Sequence, residues 1–134
     1  MAAVLERKYS DVNRMTQKVE VNRGEVWTVR LDGNVGSEQG GIRPCVIISN
    51  QKGNKFGTTV IVAAISSQIQ KAKLPTHVVL EGGVDGVLLD SVVMLEQVRT
   101  VDKSRLINKV AELSSDVMQK VTQAHKISCA DMFN

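Results

Sequence analysis

The run Cys45-Val46-Ile47-Ile48 is apolar at every position. A strand turns alternate side chains to opposite faces, so such a run needs cover on both sides. The chain must therefore supply two apolar layers around one short strand. Pro44, just before it, pushes Arg43 towards an extended backbone and withholds an amide donor, as suits the first residue of a strand. Ahead of it stands Gly36-Ser37-Glu38-Gln39-Gly40-Gly41-Ile42-Arg43, the end of a loop with four glycines between 33 and 41 that can lie close against a ligand backbone. A lone arginine is thus mounted on a rigid base beside a glycine-rich loop. Taken alone, the junction is equally compatible with a plain hairpin and an incidental arginine.

The remaining segments are mostly short and β-like. Glu25 to Leu31 reads as a strand with Trp27, Val29 and Leu31 on one face and Val26 and Thr28 on the other. Further strands are expected over Pro44 to Ser49, Thr58 to Ile65, Thr76 to Leu80, Ser91 to Leu95 and Lys109 to Leu113. Asn50 to Gly57 and Ser66 to Pro75 read as polar loops, and Gly82-Gly83 and Asp85-Gly86 as turns. Asp102 can cap a helical turn over Lys103 to Leu106. Ser114 is placed as an N-cap, with Leu113 and Met118 as a hydrophobic staple. Val117, Val121, Ala124 and Ile127 then recur at helical spacing and define an amphipathic helix from Ser115 to Cys129. Residues 1–20, with Leu5, Tyr9, Val12 and Met15, read as an extension that is either helical or disordered.

A chain of 134 residues with 43% apolar content can bury one ordinary core, so a single domain is expected. The net charge of +3 is only a mild bias towards anionic partners. Tyr9, Trp27, Phe56 and Phe133 are too few and too scattered for an extended base-stacking platform. Cys45 and Cys129 read as buried thiols rather than a disulfide framework. His77 and His125 lack partners at ligand spacing and read as surface or capping residues, so neither a metal nor another cofactor is expected. The N-terminal residues never sustain an apolar run, so no membrane association is expected and the expected location is the cytoplasm.

Pairing the second and third strands makes the chemistry concrete. If Asn50 to Gly57 is a simple hairpin loop, Ser49 lies opposite Thr58 and Arg43 opposite Ala64. Ser66 is then a diagonal neighbour of Arg43 on the same face, within reach of a long side chain at about 7–8 Å. A guanidinium is a planar fork of donors matched to phosphate oxygens, and a hydroxyl beside it adds one orientable donor.

Taken together, Arg23-Gly24-Glu25-Val26-Trp27, Gly40-Gly41-Ile42-Arg43-Pro44, Ala63-Ala64-Ile65-Ser66-Ser67-Gln68 and Leu95-Glu96-Gln97-Val98-Arg99-Thr100, in this order and spacing, resemble the MazF/PemK family of toxin–antitoxin endoribonucleases, most of all its Gram-positive branch. The resemblance runs from about Arg23 to near the C-terminus and sets the domain at 21–134. It implies a mainly β fold: a small SH3-like antiparallel barrel with a short helical turn and a C-terminal α-helix, paired as a homodimer. It also implies sequence-specific, metal-independent cleavage of single-stranded RNA at a short U/A-rich site. A cognate antitoxin of MazE type would wrap the groove with its C-terminal segment.

Carried onto this chain, the resemblance makes Arg43 and Ser66 catalytic. Ser37, Glu38, Gln39, Ser67, Gln68, Glu96, Gln97 and Arg99 become the residues beside the RNA, where unstacked bases expose their edges. Cleavage would begin with attack of the RNA 2′-hydroxyl on the adjacent phosphorus, leaving a 2′,3′-cyclic phosphate (or 3′-phosphate) and a 5′-hydroxyl. Ser66 departs from the threonine usual in the family, keeping the hydroxyl but losing the methyl that restricts χ1. The alternatives are a same-fold toxin that acts on DNA gyrase and a non-catalytic SH3-like interaction module. The gyrase reading lacks support in a chain that ends Asp131-Met132-Phe133-Asn134, without the tryptophan-containing tail of such toxins.

Overall fold

The computed structural model describes residues 19–33, 36, 38, 40–69 and 72–130. The extension read over 1–20 therefore lies almost entirely outside the described residues. Six strands, β1 (Glu25–Leu31), β2 (Gly41–Ile47), β3 (Thr59–Ser66), β4 (His77–Leu80), β5 (Ser91–Asp102) and β6 (Leu106–Glu112), form one antiparallel sheet. Their order is β4-β5-β3-β2-β1-β6. Two helices, α1 (Gln51–Phe56) and α2 (Ser115–Cys129), and a single 3-10 turn, Lys103–Arg105, complete the described elements.

The all-apolar run meets the two-sided requirement it imposes. Cys45, Val46 and Ile47 are fully enclosed, and the two faces of the sheet bury separate cores. Val26, Val46, Ala63, Ile65, Val93 and Leu95 pack on one face beneath Met118, Val121 and Ala124 of α2. Val29, Leu31, Cys45, Ile47, Val62, Ala64 and Met94 pack on the other, where Val101 and Leu106 close over them. Helix α2 spans the residues its periodicity indicates. Ser114 Oγ accepts from Val117 N at 3.3 Å, and Leu113 and Met118 are both buried in the first core.

The sheet is open in its hydrogen bonding, since among the described residues no ladder joins the edge strands β4 and β6. The turn after β4 bridges to the end of β6 instead. Glu112 N donates to the Asp85 carbonyl at 3.3 Å, and Ser114 N donates to the Asp85 carboxylate at 2.9 Å.

Several sequence-based expectations need correction. The stretch Asn50 to Gly57 is not a plain loop, because Asn50 caps α1 by accepting from Gly53 N at 2.7 Å. Asn54, 1% exposed, fastens that helix by donating from Nδ2 to the Ser49 carbonyl. Strand β2 starts at Gly41 rather than Pro44, since Gly41 to Pro44 pair with β1 alone before β3 joins at Cys45. Pro44 thus occupies a stretch where β2 has a neighbour on one side only, which is where a strand tolerates proline. Strand β5 continues past Leu95 to Asp102, and β6 begins at Leu106. Cys129 is exposed, being the last residue of α2 and beyond the core stripe.

Candidate active site

The ladder between β2 and β3 pairs Cys45 with Ala64, Val46 with Ala63 and Ile47 with Val62. Arg43 therefore does not face Ala64. The helix inserted between the strands and the later start of β3 displace the register by two residues. A shift of two preserves the face, because side chains alternate with period two. The ladder ends at Cys45 and Ala64, and two residues beyond it on the two strands come Arg43 and Ser66, on the same face and at the same rim.

The two side chains differ in burial in a useful way. Arg43 is exposed, and its Nε donates to the Gly40 carbonyl at 3.0 Å. That bond fixes the near end of the guanidinium, while its two terminal nitrogens bond to none of the described residues. Ser66 is buried at the end of β3, where it pairs with Val92 of β5. Its Oγ accepts from Gln68 N at 3.2 Å. With that lone pair occupied by a backbone amide, the hydroxyl proton remains available for donation. A fork of charged donors and an oriented O–H thus share one rim of one face.

The other candidates separate on inspection. Ser37 and Gln39 lie outside the described residues, and Glu38 is exposed in the loop between them. Gln68 is exposed and orients Ser66 through its amide. Ser67 faces the opposite side of the sheet. There it lines an apolar groove of about 490 Å³ with Pro44, Ile65, Leu80 and Leu89.

Glu96 and Gln97 lie in an irregularity of β5, where pairing jumps from Met94, opposite Ala64 of β3, to Val98, opposite Ala63. Three residues, Leu95 to Gln97, are left without a β3 partner. A bulge of this kind re-aims side chains and is common beside active sites. Gln97 is half-buried. Glu96 is turned towards the start of β4, where Thr76 Oγ1 donates to Oε1 and His77 Nε2 bonds Oε2, both at 2.9 Å. Burial pushes the Glu96 carboxyl up, but the bonds from His77 and Thr76 outweigh it and hold its pKa below the ordinary value.

His77 was not singled out from sequence, where it read as a surface or capping residue. Its side chain is only 4% exposed, and its Nδ1 accepts from Lys73 N at 3.1 Å. Nδ1 being the acceptor, Nε2 carries the proton given to Glu96. The alternation of β4, with Val78 and Leu80 in the first core, was the available signal, since it sends His77 to the face of Arg43 and Ser66.

Arg99 points inward. Its Nη2 donates to the Asp32 carbonyl at 3.1 Å, and its Nη1 is enclosed with no hydrogen-bond partner among the described residues. The same charge lies close to Cys45, whose thiol is pushed up to about 12 by burial while Arg99 pulls it the other way. Among the described residues, no group of three or more His, Cys, Asp or Glu gathers to hold a metal ion. No helix among them is long and apolar enough to cross a membrane.

Comparison with known proteins gives this geometry a context. Residues 22–128 match the model of the PemK-like, MazF-like toxins of type II toxin–antitoxin systems. Endoribonuclease EndoA of Bacillus subtilis (strain 168) is 53% identical over 110 residues, which cover 82% of this chain and 95% of that protein. Among solved structures, MazF from Deinococcus radiodurans superposes with a TM-score of 0.68 at 23% identity, covering 82% of this chain and 96% of the other. An endoribonuclease in complex with its cognate antitoxin, from a mycobacterial species, gives 0.65 at 23% identity over 81% and 94%.

Proposed function

The chain belongs to the PemK-like, MazF-like toxins of type II toxin–antitoxin systems, and from that premise we propose how it cuts RNA and at which residues. It is the toxin of such a system and an endoribonuclease, with RNA as its target and a cognate antitoxin as its protein partner. The observation that supports the mechanism is the exposed Arg43 guanidinium on the same face and rim of the sheet as Ser66, whose oxygen is already engaged by Gln68 N.

In this reading the 2′-hydroxyl of a single-stranded RNA attacks the adjacent phosphorus, and the bond to the 5′-oxygen of the next nucleotide breaks. Negative charge builds on the non-bridging oxygens. Preorganised donors aimed at such oxygens are usually the largest catalytic contribution. Arg43 supplies the charged fork and Ser66 a second donor. A guanidinium is a poor general base, so proton transfer falls to the substrate or solvent. Because the nucleophile is internal to the substrate, no metal-bound water is required. The products carry a 2′,3′-cyclic phosphate (or the 3′-phosphate formed from it) and a 5′-hydroxyl.

Base reading falls to Glu38, Gln68, Glu96 and Gln97, joined by Ser37 and Gln39 of the glycine-rich loop. Glu96 is suited to it, because a carboxylate held by two donors accepts N–H groups from a base edge without first being ordered. Ser67, on the other face, serves an interface rather than the cleaved strand. The apolar groove it lines fits pairing of two copies as a homodimer. The toxin acts in the cytoplasm, where its mRNA substrates are.

The test is to incubate the protein with unstructured RNAs of varied sequence, with and without a chelator, and to map the new ends. Fragments with 5′-hydroxyl ends at a short recurring U/A-rich site, formed equally with chelator, are expected. Ends bearing 5′-phosphate, or cleavage lost on chelation, would refute the mechanism.

A further inference from the structure

The end of the β1–β2 ladder that carries Arg43 is built from glycine. Leu31 pairs with Gly41, which has φ +71°, and Gly33, just past Asp32, has φ +80°. A Cβ at Gly33 or Gly41 would meet nothing within 4 Å. Glycine suits such conformations, but it brings no side chain to pack and keeps the largest freedom to fray. Yet this end must be fixed, because the Gly40 carbonyl sets the direction of the Arg43 guanidinium.

Two arginines distant in sequence grip the β1 side of that end. Arg99 of β5 donates to the Asp32 carbonyl at 3.1 Å. Arg105 donates to the Arg30 carbonyl at 3.1 Å and lies 3.7 Å from the Asp32 carboxylate. The Arg105 pair is exposed and worth little. Arg99 is half-buried: its Nη1 is enclosed, while its Nη2 makes the bond to the Asp32 carbonyl at the surface.

We propose that Arg99 is a positioning residue for Arg43: it clamps the glycine end of the β1–β2 ladder through the Asp32 carbonyl and thereby holds the Gly40 carbonyl that orients the catalytic side chain. The proposal rests on the catalytic reading of Arg43. It departs from the resemblance, which would put Arg99 against the RNA itself.

The test compares Arg99→Ala, Arg99→Gln and Asp32→Ala by cleavage kinetics, by binding of an uncleavable 2′-deoxy RNA over a range of salt, and by amide hydrogen exchange. A clamp makes kcat of Arg99→Ala fall about 10- to 100-fold, the scale of a small misplacement of a reacting group. Affinity and the slope of log K against log salt stay as in the wild type, and exchange speeds up at Asp32, Gly33, Gly40 and Gly41. Arg99→Gln, which keeps a donor without the charge, recovers much of the rate. Asp32→Ala keeps the carbonyl and stays near the wild type.

A direct phosphate contact would instead flatten the salt slope by about 0.7 and leave Arg99→Gln as poor as Arg99→Ala. That result, or unchanged exchange in Arg99→Ala, would overturn the proposal. If Arg99→Ala does not fold, Arg99→Gln with wild-type rate and accelerated exchange, or with lost rate and unchanged exchange, would overturn it as well. The exchange measurement needs no RNA. It therefore tests the clamp even if the wild type proves unable to bind or cut the substrate.

Discussion

Replacing Glu25 tests how much of the Arg23-Gly24-Glu25 segment is scaffold. Glu25 opens β1 with its carboxylate 5% exposed. Asn22 N donates to Oε1 at 2.9 Å and Trp27 Nε1 to the same oxygen at 3.1 Å. Asn22 Nδ2 donates to Oε2 at 3.1 Å, and Lys109 Nζ stands 3.0 Å from it. Burial pushes this carboxyl up, but the bonds from Asn22, Trp27 and Lys109 outweigh burial and hold its pKa below the ordinary 4.5. Hydrogen bonds to a charged acceptor contribute roughly 1.5–3 kcal/mol each. The exposed lysine is discounted, and the freed donors can turn partly to water. Two bonds at the low end give a loss of about 3 kcal/mol for Glu25→Ala.

At roughly 4 °C per kcal/mol for a domain of this size, that loss lowers Tm by about 12 °C. Urea titration at pH 7 and a thermal scan both read it. The pH dependence has a definite sign. A depressed folded pKa gives stability that is complete above the unfolded value and is lost as pH falls through the folded one. The gap between wild type and Glu25→Ala should therefore be full at pH 6–7 and shrink below pH 4.5. A gap under about 0.5 kcal/mol at pH 7, where ordinary surface substitutions fall, would refute the reasoning. So would a gap that does not change between pH 7 and 3.

Asn54→Ala removes the bond to the Ser49 carbonyl that fastens α1, and a loss of roughly 2–3 kcal/mol is expected by urea titration. A thiol reagent should label Cys129 at once and Cys45 only on unfolding, since Cys45 is fully enclosed with its thiol pushed up to about 12; mass spectrometry of peptides reads this directly. Ser66→Ala should slow cleavage about a hundredfold with little change in RNA affinity, the usual cost of one oxyanion donor. Ser66→Thr should retain activity, because it keeps the donating hydroxyl.

Legibility followed the range of the interactions. Helix α2 was readable to the residue because cap, staple and stripe are all local. The two faces of β1 were readable because alternation depends only on the strand. Register was not, since it depended on what Asn50 to Gly57 does. Asn54 reaches back to Ser49 there to build a helix in a stretch whose composition reads as loop. The face shared by Arg43 and Ser66 survived that error because the shift was an even number of residues. His77 was missed because its partners, Glu96 and the Lys73 amide, assemble only when β4 lies beside the irregular part of β5. Arg99 was legible as part of a resembling segment, but its inward turn depends on Asp32, distant in sequence.

The central claim is that Arg43 and Ser66 stabilise charge while the RNA supplies its own nucleophile. It is tested most directly with two oligonucleotides containing a mapped site, one all-ribose and one with a single 2′-deoxy sugar at the cleaved position. Wild-type protein and Arg43→Ala are compared for binding and cutting on each. The account expects the wild type to cut the first, leaving a 5′-hydroxyl, and to bind the second with similar affinity without cutting it. Arg43→Ala should fold normally and cut neither appreciably. Efficient cutting of the 2′-deoxy strand, or wild-type rates from Arg43→Ala, would contradict the account and move the catalytic site elsewhere.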